Sequence, residues 1–456
     1  MSAREQQPPA AEQEFPNAAE AEQEARAVVH SLQAAGHEAY WAGGCVRDRL
    51  LGRRPVDYDV ATSAVPEEVM RLFPRYSAVG AQFGVVLVHP PSKRDVAVAT
   101  FRTEGAYADG RHPGQVAYAR AAREDVTRRD FTINGLLYDP ERERVLDYVG
   151  GQADLERRLV RAIGDPAARF GEDRLRLLRA VRFAARFGFE IETETWKAIR
   201  ENAAQVTECS PERIRDEIIK MLTEGRARRA FELLEASGLL AAVLPEAQRM
   251  KGVEQPPQFH PEGDVWTHTL LMLAELPAGA SPTLAMGVLL HDAGKPATFR
   301  RAPDRIRFDQ HAAVGARIAA GVSERLRLPN AQKEQIEALV ENHLRFIDAP
   351  RMKPSTLKRF LRQPQFDEHL ELHRLDCKMS HGDLSTYEFI RGKLAELAPE
   401  ELRPPRLVSG ADLIELGYAP GPLFKEILAG VEEEQLEGRL GERQQAIEWV
   451  KKSWPK

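Results

Sequence analysis

A glycine pair opens the run Gly43-Gly44-Cys45-Val46-Arg47-Asp48, and a short basic turn later comes Asp57-Tyr58-Asp59-Val60-Ala61-Thr62. If Asp57–Val60 is extended, side chains alternate between faces, and both carboxylates point the same way. Two convergent carboxylates suit a pair of Mg²⁺ ions whose remaining coordination comes from a nucleotide triphosphate and water. Glycines at 43 and 44 let backbone approach the phosphates closely. An Asp-x-Asp alone is usually a solvated turn. The glycine pair ahead of it and Ala-Thr behind it turn this one into a candidate catalytic strand.

The rest of the chain sets limits on that reading. Its 456 residues are enough for two to four domains, and 43% of them are hydrophobic, enough for real cores. A net charge of −5 excludes bulk attraction to polyanions, so any nucleic-acid surface must be local. Cys45, Cys209 and Cys377 are widely spaced and odd in number, which fits neither a disulfide framework nor a zinc knuckle and suits a reducing cytoplasm. Residues 1–18, rich in Gln, Glu, Ala and Pro, read as a disordered tail without a signal peptide, and no apolar run reaches membrane-span length.

The pattern changes character along the chain. Residues 19–150 mix periodicities: a helix over 21–35 ending at Gly36, then short strands over 38–42, 58–61, 85–89, 96–101 and 145–148. Residues 151–252 are helical with arginine-rich faces. Residues 253–400 hold eight of the twelve histidines, from His260 to His381, and 401–456 are again helical. The fold class expected is α+β: a head with a small mixed sheet, then an all-α body.

Arg128-Arg129-Asp130-Phe131-Thr132-Ile133-Asn134 is a second constellation. Asp130 can accept hydrogen bonds from ribose hydroxyls, and the two arginines can neutralise phosphate. A third, Glu172-Asp173-Arg174-Leu175-Arg176, reads as the start of a helix to about Phe187. At about 100° per residue, Arg176, Arg179, Arg182 and Arg186 share one stripe opposite Leu177, Leu178, Val181, Ala184 and Ala185. Nine arginines stand against three acids between Arg157 and Arg186, an all-Arg bias that favours phosphate or base contacts over a merely solvated face. Three residues apart on one helix, Asp173 and Arg176 would be neighbours, either as an ion pair or as an acceptor beside a donor fork. The latter matches the pairing edges of cytosine and adenine and repels those of uracil and guanine.

The ordered series of motifs resembles the bacterial class II tRNA nucleotidyltransferases, the CCA-adding group of the nucleotidyltransferase/poly(A) polymerase superfamily, in the form with an HD domain. The resemblance runs from about residue 25 to the C-terminus. The 43–48 run with Asp57-Tyr58-Asp59 resembles the family's metal-binding motif, and Arg129-Asp130 with Asn134 its ribose motif. Asp154-Leu155-Glu156-Arg157-Arg158-Leu159 with Arg161-Ala162-Ile163-Gly164 resembles the head–neck hinge, Glu172-Asp173 with Arg176 the base-selecting motif, and 212–217 a supporting neck helix. Val79-Gly80-Ala81-Gln82-Phe83-Gly84-Val85-Val86 is similar to the tRNA branch rather than to poly(A) polymerases, and 100–113 to the flexible loop used in changing from C to A addition. One departure stands out: Ala97 occupies a position usually acidic in the family, with Asp95 two residues earlier as a substitute on the same strand face.

The resemblance implies a nucleotidyltransferase head over 19–150, a neck over 151–252, an HD domain over 253–400 and a C-terminal tRNA-binding region over 401–456. It implies Asp57 and Asp59 as Mg²⁺-binding catalytic residues, and Gly44, Arg47, Arg129, Asp130, Asn134, Asp173, Arg176, Arg179 and Arg182 as nucleotide-binding ones. His268, His291, Asp292 and Asp376 resemble the HD metal ligands, with His311 and His343 as the additional ligands of two-metal members. Imidazole with carboxylate suits a divalent transition metal. Lys295 is placed to help hold a phosphate. The implied activity is template-free addition or repair of the tRNA 3′-terminal CCA from CTP and ATP in the cytoplasm, with a secondary HD phosphohydrolase activity. The alternatives are an A-adding enzyme or poly(A) polymerase, an HD phosphohydrolase with a non-catalytic RNA-binding head, and a non-catalytic RNA-binding protein.

Overall fold

The computed structural model describes residues 18–81, 84–91, 94–104, 116–258 and 260–455. The tail at 1–17, Gln82-Phe83 and most of the 100–113 loop lie outside the described residues.

The chain forms two compact units, one extending to Glu217 with Leu233–Val243 added, the other comprising Ile218–Glu232 and everything from Leu244 onward. The first is built on a seven-stranded mixed sheet: β1 (Ala39–Ala42), β2 (Asp59–Thr62), β3 (Tyr76–Gly80), β4 (Val85–Val88), β5 (Val96–Thr100), β6 (Leu136–Asp139) and β7 (Arg144–Asp147), in the order β3-β4-β5-β2-β1-β6-β7. Only β2 and β5 run parallel, with Asp59 opposite Ala97. The helix α1 (Ala18–Ala34) packs on β1 and β2 through Ala25, Val28, Val29 and Leu32. On the sheet, Tyr40, Ala61, Phe101 and Leu137 form a core with Ala122 and Val126.

Two of these strands escape the periodicity. Tyr76–Gly80 is an edge strand with an irregular register against β4, and Leu136–Asp139 is buried on both faces, so neither alternates cleanly. The catalytic strand also begins later than expected. Asp57 precedes β2, yet alternation carries through: Asp57 and Asp59 are exposed, while Tyr58 and Val60 are buried.

Four helices complete the first site: α2 (Gly44–Leu50), α3 (Pro166–Glu172), α4 (Arg176–Phe187) and α5 (Pro211–Thr223). The expectation of one helix from Glu172 is corrected here. Glu172 ends α3, Asp173 is extended (φ −147°, ψ 105°), and α4 opens at Arg176, ending at Gly188 in the left-handed region.

The second unit is helical. Its relevant elements are α6 (Val265–Ala274), α7 (Pro282–Leu290), α8 (His311–Arg325), α9 (Asn330–Asn342) and α10 (Phe366–Met379). A cluster centred on Phe346, Phe360 and Phe366 and a separate C-terminal cluster of Val408, Leu413, Ile427, Val431 and Val450 hold its later helices. Among the described residues no helix is long and apolar enough to cross a membrane.

Candidate functional site

In the first unit, Gly43 turns the chain from β1 into α2 with φ 70°, a conformation glycine adopts without strain. A Cβ there would lie 3.2 Å from Arg129 Nη1, so the glycine admits that guanidinium to the site. Asp125, buried at the end of the preceding helical turn, holds the arginine pair: Arg128 donates to its Oδ1 (2.7 and 2.9 Å) and Arg129 to its Oδ2 (2.9 and 3.2 Å). Burial alone would raise the Asp125 carboxyl; the two guanidiniums override it and hold it below the ordinary range. Nothing in the spacing singled out Asp125, because a buried carboxylate serving two neighbouring arginines reads as one more charge in a polar run.

Asp59 faces this arginine. The surrounding walls raise its carboxyl above the ordinary aspartate range, Asp57 adds to that, and Arg129 opposes it. Desolvation leads that shift, and a divalent cation between the two carboxylates would offset both it and the smaller repulsion from Asp57. Asp57 and Asp95 line one small cavity, but Asp95 Oδ1 is bonded to His89 Nδ1 at 2.6 Å, and His89 Nε2 meets Ser77 Oγ at 2.7 Å.

Arg47 of α2 is buried. It donates to Asn134 Oδ1 (2.6 Å) and Asp48 Oδ1 (2.8 Å) and lies 4.5 Å from the Phe187 ring of α4. Asn134 donates to Asp130 Oδ1 (3.0 Å), which also accepts from the Phe131 backbone N–H. Asp130 Oδ2 accepts both Arg179 Nε (2.9 Å) and Nη2 (2.6 Å). Burial would push Asp130 up, yet Arg179, Asn134 and the Phe131 amide hold it below the usual range. Arg47, Asn134, Asp130 and Arg179 thus form one hydrogen-bonded chain, joined by Arg129, whose Nη1 donates to the Asn134 carbonyl at 3.4 Å; Gly44 opens α2 beside Arg47.

Asp173 and Arg176, expected from the resemblance to select the base, are arranged otherwise than helical spacing suggests. Asp173 accepts a bidentate pair from Arg213 of α5 (3.1 and 2.7 Å), while Arg176 donates to Glu172 Oε2 (2.6 Å) and to the carbonyls of Arg169 (3.0 Å) and Arg128 (3.1 Å). Asp173 and Arg176 are therefore not helical neighbours, since the break between α3 and α4 falls between them. Nor is the arginine stripe a solvated face. Arg176 and Arg182 are buried, and Arg182 Nε meets buried Glu217 Oε2 at 2.6 Å. Glu217 and Arg213 sit in the run read as a supporting helix, but their partners are forty or so residues away in sequence.

In the second unit, all six expected HD residues meet. His268 comes from α6, His291 and Asp292 from the end of α7, His311 from α8, His343 from the end of α9 and Asp376 from α10. Two ligand groups form, His268–His291–Asp376 and Asp292–His311–His343. Asp292 stands between them, its Oδ2 at 3.2 Å from His291 Nε2 and its Oδ1 at 3.5 Å from His311 Nε2. The Nδ1 atoms of His291, His311 and His343 donate to the carbonyls of Val288, Phe308 and Val340 at 2.9, 2.9 and 2.6 Å. That fixes the tautomer and turns each Nε2 inward. His291 Nε2 is buried with no hydrogen-bond partner among the described residues. An inward lone pair that makes no hydrogen bond and faces a carboxylate oxygen 3.2 Å away fits a cation. Burial drives His343 down to about 4, keeping it a neutral donor. Asp376 and Glu262 outweigh burial at His268 and raise it to about 9, and Asp292 stays well below the ordinary range beside His291 and Lys295. The approach of α8 depends on Gly294, where a Cβ would come 2.1 Å from the His311 carbonyl. The site opens into a cavity of about 650 Å³ lined by Lys295, Arg305, Arg307 and Phe308 among others.

Three family models match in order: the poly(A) polymerase head domain over 39–161, the probable RNA- and SrmB-binding site of polymerase A over 188–251, and the HD domain over 265–376. A CCA-adding enzyme of Geobacillus sp. (strain WCH70) is 46% identical over 218 residues, 48% of this chain and 53% of that protein. One from Streptococcus sanguinis (strain SK36) is 40% identical over 258 residues, 55% of this chain and 64% of that one. The matched segment thus spans roughly half to two thirds of these curated relatives. The crystal structure of the Bacillus stearothermophilus CCA-adding enzyme in complex with CTP superposes with a TM-score of 0.72 at 28% identity, over 94% of this chain and 97% of that one. Residues 39–161 thus match a poly(A) polymerase head and residues 265–376 an HD domain. In sequence and in fold the chain is similar to CCA-adding enzymes.

Proposed function

We propose that the protein adds or repairs the 3′-terminal CCA of tRNA, taking CTP and ATP without a nucleic-acid template. The observation that carries this is the convergence, in one unit, of the Asp57/Asp59 pair with Arg129, the Asp130–Asn134–Arg47 cluster and the Asp173/Arg176 pair. Asp57 and Asp59 would hold Mg²⁺, which supplies charge neutralisation of the triphosphate and activation of the attacking 3′-hydroxyl. Arg129 faces the Asp59 carboxylate from beside Gly43 and is placed to meet a phosphate oxygen. Asp130, rigidly held, presents the ribose-recognition edge, with Arg47 and Asn134 fixing its position. Arg179 and Arg182 set that wall: one is anchored on Asp130, the other on Glu217. Asp173 offers an acceptor and Arg176 donors to the base edge, which admits cytosine and adenine and rejects uracil and guanine. The resemblance-based boundaries at 19–150, 151–252, 253–400 and 401–456 are part of this reading, as is tRNA contact through the neck and the C-terminal helices.

The six HD residues would hold a divalent transition metal, one or two ions, which lowers the pKa of a bound water for attack on phosphorus. A secondary phosphohydrolase activity follows. Three buried free thiols suit a reducing cytoplasm.

The test is incubation with tRNA lacking its 3′ end. Ordered incorporation of CTP then ATP, with no UTP or GTP, supports the reading. Addition of A only to CC-ended tRNA would make it an A-adding enzyme, and long A tracts a poly(A) polymerase. Loss of activity on His291→Ala but not Asp59→Ala would make it an HD phosphohydrolase.

A further inference from the structure

One carboxylate outside the six ligand residues touches both the metal centre and the cavity wall. Glu262 lies in the turn ahead of α6, and its Oε1 accepts from His268 Nδ1 at 2.6 Å and from His260 Nδ1 at 2.9 Å. The two rings meet edge-on with centroids 5.0 Å apart. The Glu262 side chain is 8% exposed, and its Oε2 is buried without a hydrogen-bond partner among the described residues. Burying a carboxylate with one oxygen unmatched is costly, which marks a position retained for something other than packing.

The other three ligand histidines spend Nδ1 on backbone carbonyls; His268 spends it on this carboxylate. A carboxylate partner locks the Nδ1–H tautomer, leaves Nε2 as the donor atom and makes the ring a stronger ligand. The same oxygen steers a second imidazole. With Nδ1 committed to Glu262, His260 has Nε2 left for a ligand, and it lines the cavity with Lys295, Arg305 and Arg307, across from Asp292, His311 and His343.

We propose that Glu262 is a positioning residue for the HD centre, fixing His268 toward the metal, and that His260, held by the same carboxylate, contacts the phosphoryl oxygens of the bound phosphoester. The inference rests on reading the HD domain as a metal phosphohydrolase. One carboxylate thereby couples metal affinity to substrate contact, through two imidazoles with separate tasks.

The test compares wild type with Glu262→Gln and His260→Ala, using Co²⁺ as the metal and p-nitrophenyl phosphate as the substrate. Glu262→Gln, which preserves side-chain volume, is expected to weaken Co²⁺ binding about 10–100-fold and to alter the visible d–d spectrum of the bound ion. His260→Ala is expected to leave Co²⁺ affinity and spectrum within twofold of wild type and to raise KM about tenfold, with a smaller change in kcat. Terminal nucleotide incorporation, measured on the same preparations, should match wild type in both variants and so reports correct folding. Wild-type Co²⁺ affinity and spectrum in Glu262→Gln would overturn the positioning role, and an unchanged KM in His260→Ala would overturn the substrate contact. A wild-type protein that binds no Co²⁺ or leaves the ester intact would instead overturn the HD reading itself.

Discussion

Asp59 of β2 and Ala97 of β5 stand opposite each other in parallel register, so a methyl group lies beside the Asp59 carboxylate, where the resembling family usually has an acidic side chain. Asp95 is bonded to His89 instead of standing free to replace it. Asp59→Asn is therefore expected to reduce CTP and ATP incorporation by two orders of magnitude or more, in line with removal of a preorganised charge. Asp95→Ala should stay within a few-fold of wild type. A large loss in Asp95→Ala would show that a third carboxylate does enter the site.

Arg213 clamps Asp173 with two hydrogen bonds from a helix distant in sequence. Arg213→Ala should free the carboxylate to rotate and cost about tenfold in discrimination of CTP and ATP against UTP and GTP. Competition assays with mixed nucleotides read this directly, and unchanged selectivity would show that Asp173 is held by other means.

Arg182 and Glu217 form a buried ion pair. Removing Arg182 leaves Glu217 buried with only the longer 4.0 Å contact to Arg179, so Arg182→Met should lose about 3 kcal/mol of stability in the first unit. Urea denaturation followed by a probe in that unit measures it, and a loss under 1 kcal/mol would mean that water replaces the partner.

Buried His369 has neither ring nitrogen hydrogen-bonded among the described residues, and burial pushes it down to about 4. The sign follows from proton counting. Between pH 6.5 and 4 the unfolded chain binds this proton and the folded one does not, so stability falls as pH drops through that window. From pH 7 to 5 the loss is about 2 kcal/mol, and His369→Leu should remove that part of the acid sensitivity. Denaturation at both pH values in the presence of chelator checks it.

His291 places a buried Nε2 that makes no hydrogen bond among the candidate metal-ligating residues. Added Mn²⁺ or Co²⁺ should raise the thermal midpoint of the second unit, since an ion that binds only the folded state stabilises it by mass action. His291→Ala should abolish that rise while leaving nucleotide incorporation intact. A rise that survives in His291→Ala would place the bound ion elsewhere.

Much of the site could be read in advance because its chemistry is local. Asp57 and Asp59 are exposed on either side of buried Tyr58, as alternation leads one to expect, and His291-Asp292 are adjacent in the chain. The HD set could be assembled from resemblance, and the fold gathers it from five helices. What could not be read was partner choice. Helical spacing paired Asp173 with Arg176, but a helix break between them hands Asp173 to Arg213 and Arg176 to Glu172. Glu217 becomes a support only where α4 brings Arg182 to it, while Asp125 and Glu262 serve side chains close in sequence and are distinguished only by burial, which local pattern does not reveal.

The residue series by itself determined the α+β head, the mostly helical remainder and the acidic pair, because alternation, periodicity and residue chemistry act over a few positions. Tertiary structure alone decided which charge meets which: of the arginine stripe read as a phosphate- or base-contacting face, it buries Arg176 and Arg182 and pairs them with Glu172 and Glu217. The reason is energetic: a buried charge must find its counter-charge, and the chain satisfies that demand across long sequence distances that local pattern does not encode.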